Sequence, residues 1–358
     1  MERGWATVIK KNAVRVARYL AIVVLSLIVI LGLFLFERFN FSYGEGKFSN
    51  ATLAGLHHFY LKNCRSAFKQ CNQSLVIAGH RGSAVDGQVK TQGEISETII
   101  GNTEWGIKNA IQNKIEYIEI DLRAFKGAQN DLVLYHDSHL GKLLISSLLE
   151  DSRPQRIEDL TFDEIHDSAY RTLDPNKNRI VFFSEFLALV AGSDQKIILD
   201  LKFANLMEGT ERTDAYESLI YQLNKHRIQS TRVTIFGDYR VLAAWNAFCR
   251  NRKPEDETGR LDYQLGYTVL GKHSENRFDV LIRPSRIFEK LSELHEAEAE
   301  IPILVLPVSF ASHAMLSRAA KLGADVWCYG TEVNLDWESL KNRGVDGLIL
   351  DQPDRNAE

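Results

Sequence analysis

The feature that most constrains the fold is a regular alternation of short apolar runs and longer amphipathic runs between residues 75 and 350. Helical patterns with one apolar face separate the short runs, as at 287–294, 313–322 and 337–342. Eight strands with helices between them predict an α/β fold of the (β/α)8 TIM barrel type. The eight candidate strands lie at 75–79, 117–121, 196–201, 233–236, 264–269, 303–307, 325–329 and 347–350.

The alternation is interrupted once, after the second strand. A further apolar run at 132–135 delivers His136, and the segment from Ser138 to about Arg179 is too long for a simple turn. We therefore predict an insertion over the barrel mouth, where barrel enzymes carry their active sites. An open doubly wound sheet is the structural alternative. It would usually show a glycine-rich phosphate loop after its first strand, and the sequence contains none.

An apolar stretch near the N-terminus, 19–36, is interrupted only by Ser26 and Gly32 and is about long enough to cross a bilayer. Basic residues precede it, whereas only Glu37 and Arg38 follow, so the positive-inside rule places everything after it in the periplasm or outside the cell. A cleaved signal peptide and a buried core helix are the alternatives. The predicted organisation is a cytoplasmic basic N-terminus (1–18), a transmembrane anchor (19–36), a connector (37–74) and a barrel domain (75–358).

Composition limits the partners and the redox chemistry. The chain has 358 residues, a net charge of −4 and no basic tract in the barrel domain, which argues against a nucleic-acid partner. Cys64 and Cys71 are the only close cysteine pair, and the sequence leaves open whether they form a disulfide. Cys328 stands in an apolar run and is expected to be a small buried hydrophobe.

Carboxylates stand at the ends of two predicted strands. Glu119 and Asp121 are two residues apart, so their side chains point to one face, where a cation would offset the cost of burying them. Asp200 supplies a third carboxylate, and Lys202 beside it suits an anion. Oxygen ligands without cysteine favour Mg²⁺ or Ca²⁺ over Zn²⁺. Ion pairs with Arg123 or Lys202 are the structural alternative.

Two histidines and an arginine complete this set. His80 follows the first strand between flanking glycines, and His136 ends the later apolar run. Two histidines can exchange a proton near neutral pH, and the Arg81 guanidinium offers a fork for a phosphate. An acid, a base, a cation site and a phosphate clamp together predict hydrolysis of a phosphodiester.

In this order the motifs resemble those of the glycerophosphodiester phosphodiesterase family, the barrel phosphodiesterases related to phosphatidylinositol-specific phospholipase C. The resemblance covers about residues 75–353. The motifs that carry it are His80-Arg81-Gly82, Asn102-Thr103, Glu119-Ile120-Asp121, His136-Asp137, Asp200-Leu201-Lys202, Trp327, Gly344-Val345-Asp346-Gly347 and Asp351-Gln352-Pro353.

The resemblance implies metal-dependent hydrolysis of glycerophosphodiesters or lysophospholipids to a phosphomonoester and an alcohol. A substrate hydroxyl would attack phosphorus, a histidine would protonate the leaving alcohol, and water would open the cyclic phosphate. The implied roles are an acid/base pair (His80 and His136), phosphate-binding residues (Arg81 and Lys202), ligands of one Mg²⁺ or Ca²⁺ ion (Glu119, Asp121 and Asp200) and a substrate-pocket residue (Trp327).

Four features depart from the family pattern: Gly101 stands where the family has Glu, Asp200 replaces a Glu, the first loop, 83–100, is longer, and Cys328-Tyr329-Gly330 replaces the residues that normally follow Trp327. Two alternatives stay open. One is a phospholipase D-like lyase that releases the cyclic phosphate with the same two histidines and metal, and the other, motivated by Gly101, is a non-catalytic phospholipid-binding barrel. A nuclease is disfavoured by the acidic charge balance. A glycosidase would leave Arg81 and Lys202 without a role.

Overall fold

The part of the chain that can be described in this computed structural model comprises residues 75–82, 101–126, 131–139, 144–145, 155–166, 169–170, 179–202, 210–252, 263–269, 284–297, 302–330 and 337–351. The predicted anchor (19–36), the connector (37–74), the first loop (83–100), Cys64 and Cys71 lie outside these residues. None of the helices among the described residues has the length and apolar character that crossing a membrane requires.

Eight parallel strands close into a barrel. The strands of the described chain are β1 (Val76–Gly79), β2 (Tyr117–Arg123), β3 (Val133–Leu134), β4 (Leu144–Ile145), β5 (Ala169–Tyr170), β6 (Val181–Phe182), β7 (Lys196–Leu201), β8 (Val233–Gly237), β9 (Gln264–Thr268), β10 (Ile303–Pro307), β11 (Val326–Tyr329) and β12 (Gly347–Leu350). The order in the barrel is β1, β2, β7, β8, β9, β10, β11 and β12, and β12 pairs again with β1, which confirms the predicted TIM barrel.

Helices connect the barrel strands in sequence. The helices of the described chain are α1 (Glu104–Gln112), α2 (Phe162–His166), α3 (Phe183–Val190), α4 (Thr210–Lys225), α5 (Tyr239–Asn251), α6 (Pro284–Ala297), α7 (His313–Leu322) and α8 (Trp337–Arg343). Of these helices, one lies between each two successive barrel strands, except that the connection from β2 to β7 contains both α2 and α3. Local capping sets several starts: the side chain of Asp238 accepts hydrogen bonds from the backbone N–H groups of Arg240 and Val241 at the first turn of α5.

The period-two alternation of the strands divides the barrel into an outer and an inner core. In β2, Ile118, Ile120 and Leu122 are fully buried in the large cluster that includes residues of the surrounding helices. Tyr117 belongs instead to a second cluster, formed by alternate residues of the barrel strands. Glu119 and Asp121 continue the inward series of Tyr117, so the polar residues of β2 lie above an apolar floor.

The predicted insertion, Ser138 to about Arg179, lies within a longer segment between β2 and α3, 124–182, which is called the insertion from here on. This segment extends the sheet because β3 pairs antiparallel with the end of β2 and β6 pairs with β3. A second sheet consists of β4 and β5, and a 3₁₀ helix, Ile157–Asp159, precedes α2. The insertion has its own apolar cluster, made of Phe125, Val133, Tyr135, Ile157, Leu160, Ile165, Ile180 and Phe182. This small core fixes the chain that carries His136 at the carboxyl end of β2.

Candidate active site

The His80-Arg81-Gly82 loop is held against β2 by hydrogen bonds to a single residue. The backbone N–H of Arg81 donates to Glu119 Oε2 at 2.7 Å, and that of Gly82 donates to the Glu119 carbonyl oxygen at 2.9 Å. Arg81 and Gly82 have φ values of 51° and 80°, in the left-handed region. A Cβ on Gly82 would lie 2.9 Å from the backbone nitrogen of Ile107, so this turn needs glycine.

The three predicted carboxylates meet at the mouth of the barrel. Glu119 and Asp121 are inward residues of β2, and the parallel register pairs Asp121 with Asp200 of β7. One oxygen from each of the three residues lies within 4.8 Å of the others. Glu119 and Asp121 are buried, at 3% and 1% exposure, and Asp200 is partly buried. The alternation seen in the sequence therefore brings the carboxylates together as predicted.

Two cations and an amide surround Asp121. Lys202 Nζ lies 3.2 Å from Asp121 Oδ1 and 2.5 Å from Asp200 Oδ2, and Arg81 Nε lies 3.0 Å from Asp121 Oδ2. The side chain of Asn102 donates to Asp121 Oδ2 at 2.8 Å and accepts from the Asp121 backbone N–H at 3.1 Å. The ion pair that was the structural alternative for Lys202 is thus present, whereas Arg123 pairs elsewhere, with Glu158.

The two buried carboxyl groups of β2 differ in pKa. Burial and the neighbouring charge of Asp121 raise the pKa of Glu119 to about 7. Burial would also raise the pKa of Asp121, but the charges of Lys202 and Arg81 outweigh it and hold that pKa far below its usual range. Asp121 is therefore ionised near neutral pH, while Glu119 has too little positive charge beside it to stay fully ionised.

The donor set fits a hard divalent cation. All three groups are carboxylates, the donor type that Mg²⁺ and Ca²⁺ prefer. Asp121 Oδ1 is buried without a well-aligned hydrogen bond from any described residue. A cation at this position would also relieve the repulsion between Glu119 and Asp121 that raises the pKa of Glu119. The residues present therefore match the predicted ligand set Glu119, Asp121 and Asp200.

His80 is oriented by the far end of the chain. Its Nδ1 lies 2.5 Å from Asp351 Oδ1, and its Nε2 lies 4.0 Å from Glu119 Oε2. Burial lowers the pKa of His80, but the hydrogen bond to Asp351 and the charge of Glu119 outweigh burial and raise it above 6.5. Nδ1 of His80 therefore contacts Asp351, and Nε2 faces the cluster of Glu119, Asp121 and Asp200.

His136 belongs to the chain that follows β3. Its Nδ1 lies 3.0 Å from Asp137 Oδ1, and its side chain is 36% exposed. The preceding backbone is tied to β2, since the Tyr135 N–H donates to the Asp121 carbonyl oxygen at 3.1 Å. His136 is thus attached to the same end of β2 as the carboxylates, as the sequence predicted, and its ring is the more accessible of the two.

Trp327 lies in the apolar interior of the barrel, below the mouth where a substrate pocket is predicted. It is 3% exposed and packs edge-on against Tyr117 and Phe236, with ring centroids 5.0 and 6.1 Å away. It is part of the apolar floor inside the barrel, which leaves little surface for an alcohol to contact. Tyr329, two residues nearer the mouth, faces the same interior and is more exposed, and its hydroxyl donates to the Val269 carbonyl oxygen at 3.3 Å. A pocket role for Trp327 stays a prediction.

Sequence reasoning assigned no role to Asn102, Asp351 and Glu158, and it considered Arg123 only as an ion-pair partner of the carboxylates of β2. Asn102 and Asp351 stand in the quoted motifs, but their partners Asp121 and His80 are 19 and 271 residues away. Arg123 follows Asp121 by two residues and so points to the same inward face of β2. This spacing is the one feature of the sequence that could have placed Arg123 in the site. Its partner Glu158 lies in the insertion and carried no signal.

The model of the glycerophosphoryl diester phosphodiesterase family matches residues 80–355. A search of curated proteins found no match.

Solved structures share the fold at low sequence identity. A structure from Silicibacter pomeroyi, described as a glycerophosphoryl diester phosphodiesterase, has a TM-score of 0.60 at 17% identity and covers 81% of this chain and 93% of its own. One from Galdieria sulphuraria, described as a glycerophosphodiester phosphodiesterase, has a TM-score of 0.56 at 18% identity, covering 78% and 95%. A phosphodiesterase from Oleispira antarctica in complex with the product sn-glycerol-3-phosphate has a TM-score of 0.54 at 20% identity, covering 78% and 93%.

Proposed function

Because this chain belongs to the glycerophosphoryl diester phosphodiesterase family, a family of phosphoric diester hydrolases, we propose that it is a metal-dependent phosphodiesterase acting on glycerophosphodiesters or lysophospholipids. The observation that carries the proposal is the convergence at one barrel mouth of three carboxylates, two cationic side chains and two histidines. The product in the Oleispira antarctica complex, sn-glycerol-3-phosphate, supports a phosphodiester of this class as the substrate.

Arg81 and Lys202 are proposed to bind the phosphate. Both contact Asp121, so both cationic groups border the carboxylate cluster. Burial lowers the pKa of Lys202, but the charges of Asp200 and Asp121 outweigh burial and raise it, so the amine stays protonated at neutral pH. Two fixed positive charges would hold the substrate's phosphoryl oxygens and offset the negative charge that builds on them during attack.

His80 and His136 are proposed to move protons. One histidine would take the proton of the attacking substrate hydroxyl, and the other would donate a proton to the leaving alcohol. Asp351 orients His80 by accepting from Nδ1, which directs Nε2 toward the centre. In the second step the roles reverse, and a water activated by a histidine opens the cyclic phosphate.

Glu119, Asp121 and Asp200 are proposed to hold one Mg²⁺ or Ca²⁺ ion. Such an ion, when bound, supplies a Lewis acid that polarises a phosphoryl oxygen. The repulsion between Glu119 and Asp121 and the buried oxygen of Asp121 support this assignment.

The test is a substrate panel with the full chain. Glycerophosphodiesters and lysophospholipids are incubated with Mg²⁺, Ca²⁺ or a chelator, and products are identified by phosphorus NMR. We expect metal-dependent release of a phosphomonoester that is lost in His136→Ala. A persistent cyclic phosphate would favour the lyase alternative. Tight phospholipid binding without any turnover would favour the non-catalytic barrel.

We also propose that residues 19–36 anchor the chain in the membrane, with the barrel in the periplasm or outside the cell. The support is the apolar sequence and the excess of basic residues before it. An anchor would hold the barrel near lipid-derived substrates.

A further inference from the structure

One guanidinium at the end of β2 contacts three segments of the chain at once. Arg123 is 3% exposed. Its Nη1 donates to Glu158 Oε1 at 2.7 Å and to the Lys202 carbonyl oxygen at 3.3 Å. Its Nε and Nη2 donate to the His136 carbonyl oxygen at 3.2 and 2.8 Å. Arg123 therefore joins the insertion to two residues of the proposed active site.

Both carbonyl groups belong to residues just beyond the regular sheet. His136 comes two residues after β3, and Lys202 is the first residue after β7. The side chain of His136 is 36% exposed, so packing alone does little to orient it. Two hydrogen bonds from a rigid planar group to the His136 peptide fix the direction from which its side chain leaves the backbone.

Glu158 in turn holds Arg123. Its exposure is 9%, and its carboxylate balances the buried guanidinium, which would be costly without a partner. Ile157 beside it is fully buried in the insertion core, and its backbone N–H donates to the Ser138 carbonyl oxygen at 3.1 Å. The insertion therefore holds this chain at two points: at His136 itself, through Glu158 and Arg123, and two residues later, at Ser138.

We propose that Arg123 is a positioning residue for His136 and Lys202, and that Glu158 makes the insertion part of the active site. Neither residue stands in the motifs that define the family resemblance. The inference rests on the proposed function, since it assigns Arg123 to the reaction that His136 and Lys202 carry out. It gives the insertion a role in catalysis.

The experiment removes both charges together. Glu158→Gln alone would leave the buried guanidinium without its carboxylate, and Arg123→Met alone would leave the buried Glu158 with only its 3.6 Å pair to Arg156. The full chain carrying Arg123→Met with Glu158→Gln is compared with the wild type in thermal unfolding, kcat, KM and the ¹H–¹⁵N spectrum of the His136 ring. That signal is assigned from its loss in His136→Ala. We expect a folded protein, a kcat about 10²-fold lower, since misplacing a catalytic group by about 1 Å costs that much, and a shifted His136 signal.

Two further variants test whether a lower kcat comes from a misplaced His136, from the lost charge of Arg123 or from a general loss of stability. Arg123→Lys keeps the charge but loses the planar fork, and we expect it not to restore kcat. Arg179→Met removes another ion pair of this region, in which Arg179 Nη2 lies 2.7 Å from Glu185 Oε1. This pair does not involve His136 or Lys202. This variant should keep the wild-type kcat and His136 signal. If the double variant does not fold, Arg123→Lys, which keeps a positive charge beside Glu158, carries the test by the same two readouts.

A folded double variant with wild-type kcat and an unmoved His136 signal would overturn the proposal. The ring signal is recorded without substrate, so it reports positioning even where the wild type hydrolyses no phosphodiester. If the wild type hydrolyses no phosphodiester, the proposed function is wrong. If the His136 signal of the double variant is nevertheless shifted, Arg123 still positions His136.

Discussion

Arg81 occupies the space that a side chain at residue 101 would need. A Cβ built on Gly101 would lie 2.7 Å from Arg81 Cβ and 3.0 Å from Arg81 Cδ. Arg81 reaches past this glycine to place its Nε 3.0 Å from Asp121 Oδ2. Gly101, which stands where the family has glutamate, thus leaves the space that the side chain of Arg81, the proposed phosphate-binding arginine, occupies.

We expect Gly101→Ala to destabilise the protein by about 1–3 kcal/mol, the usual cost of overpacking, and to lower kcat/KM several-fold. The reason is that Arg81 must leave its position before the new methyl group fits. Chemical unfolding and steady-state kinetics measure the two effects. Gly192→Ala is the matched control: nothing lies within 4 Å of its Cβ, so both quantities should stay close to wild type. Normal kcat/KM in Gly101→Ala would contradict the coupling.

Asp351 sets the protonation of His80. We expect Asp351→Asn to lower the pKa of His80, because it removes a carboxylate 2.5 Å from Nδ1. An NMR titration of the ring protons in chelator measures this pKa directly. Asp137→Asn is the control, because Asp137 contacts His136 instead. A His80 pKa that does not move in Asp351→Asn would show that Glu119 alone raises it.

The same variant predicts a pH dependence of stability. A histidine whose pKa is raised on folding stabilises the native state below its unfolded value of about 6.5, and this contribution is lost as the pH rises through the folded value. Asp351→Asn should therefore reduce the free energy of unfolding more at pH 5 than at pH 8. An equal loss at both values would mean that Asp351 acts through packing alone.

At the scale of elements, the barrel strands could be predicted because each is short, apolar and bounded by polar residues. The runs 196–201, 303–307 and 347–350 coincide with β7, β10 and β12. β2 continues two residues beyond its predicted end because β3 pairs with Leu122 and Arg123. Strands of two residues, such as β4 and β5, are too short to leave a periodic pattern.

Part of the site could be predicted once the strands were located, because parallel barrel strands bring their carboxyl ends to one mouth. Glu119, Asp121 and Asp200 meet because alternation and register place them side by side. The contact of Arg123 with Glu158 could not be predicted, because it depends on the path of the insertion. The contact of His80 with Asp351 needs the barrel to close before the two residues become neighbours.

The start of α5 offers a test at this scale. Asp238 accepts from the backbone N–H groups of Arg240 and Val241 at 2.8 and 3.1 Å. We expect Asp238→Ala to lower the free energy of unfolding by about 1 kcal/mol, the usual value of an N-cap. Asp238→Asn keeps a capping oxygen and should cost much less. Equal losses in the two variants, measured by urea unfolding, would show that the carboxylate charge matters more than the cap.

At the scale of the whole molecule, barrel closure and the insertion build the site together. Closure sets β12 beside β1, which brings Asp351 to His80. The insertion has a separate apolar core, and that core holds the chain carrying His136. The proposed acid/base pair is therefore divided between two parts of the fold, so a change in the insertion core should affect His136 while leaving His80 in place.

The charges around the apolar stretch 19–36 predict where the molecule is placed in the cell. Residues 19–36 follow Arg3, Lys10, Lys11, Arg15 and Arg18, and the charge bias predicts export of the barrel domain. Alkaline phosphatase, which is active only after export, should be active when fused after residue 45 in a bacterial host, and the fusion should stay with membranes after a high-salt wash.

Replacing the four basic residues at 10, 11, 15 and 18 by glutamate is the matched variant, and it should sharply reduce exported activity because it reverses the bias that orients the helix. An active fusion that is released from membranes, with a new N-terminus beyond residue 36, would instead establish the cleaved signal peptide. An inactive wild-type fusion would rule out export altogether. The barrel would then have to meet its substrate in the cytoplasm, and the anchor would no longer favour lipid-derived phosphodiesters as substrates.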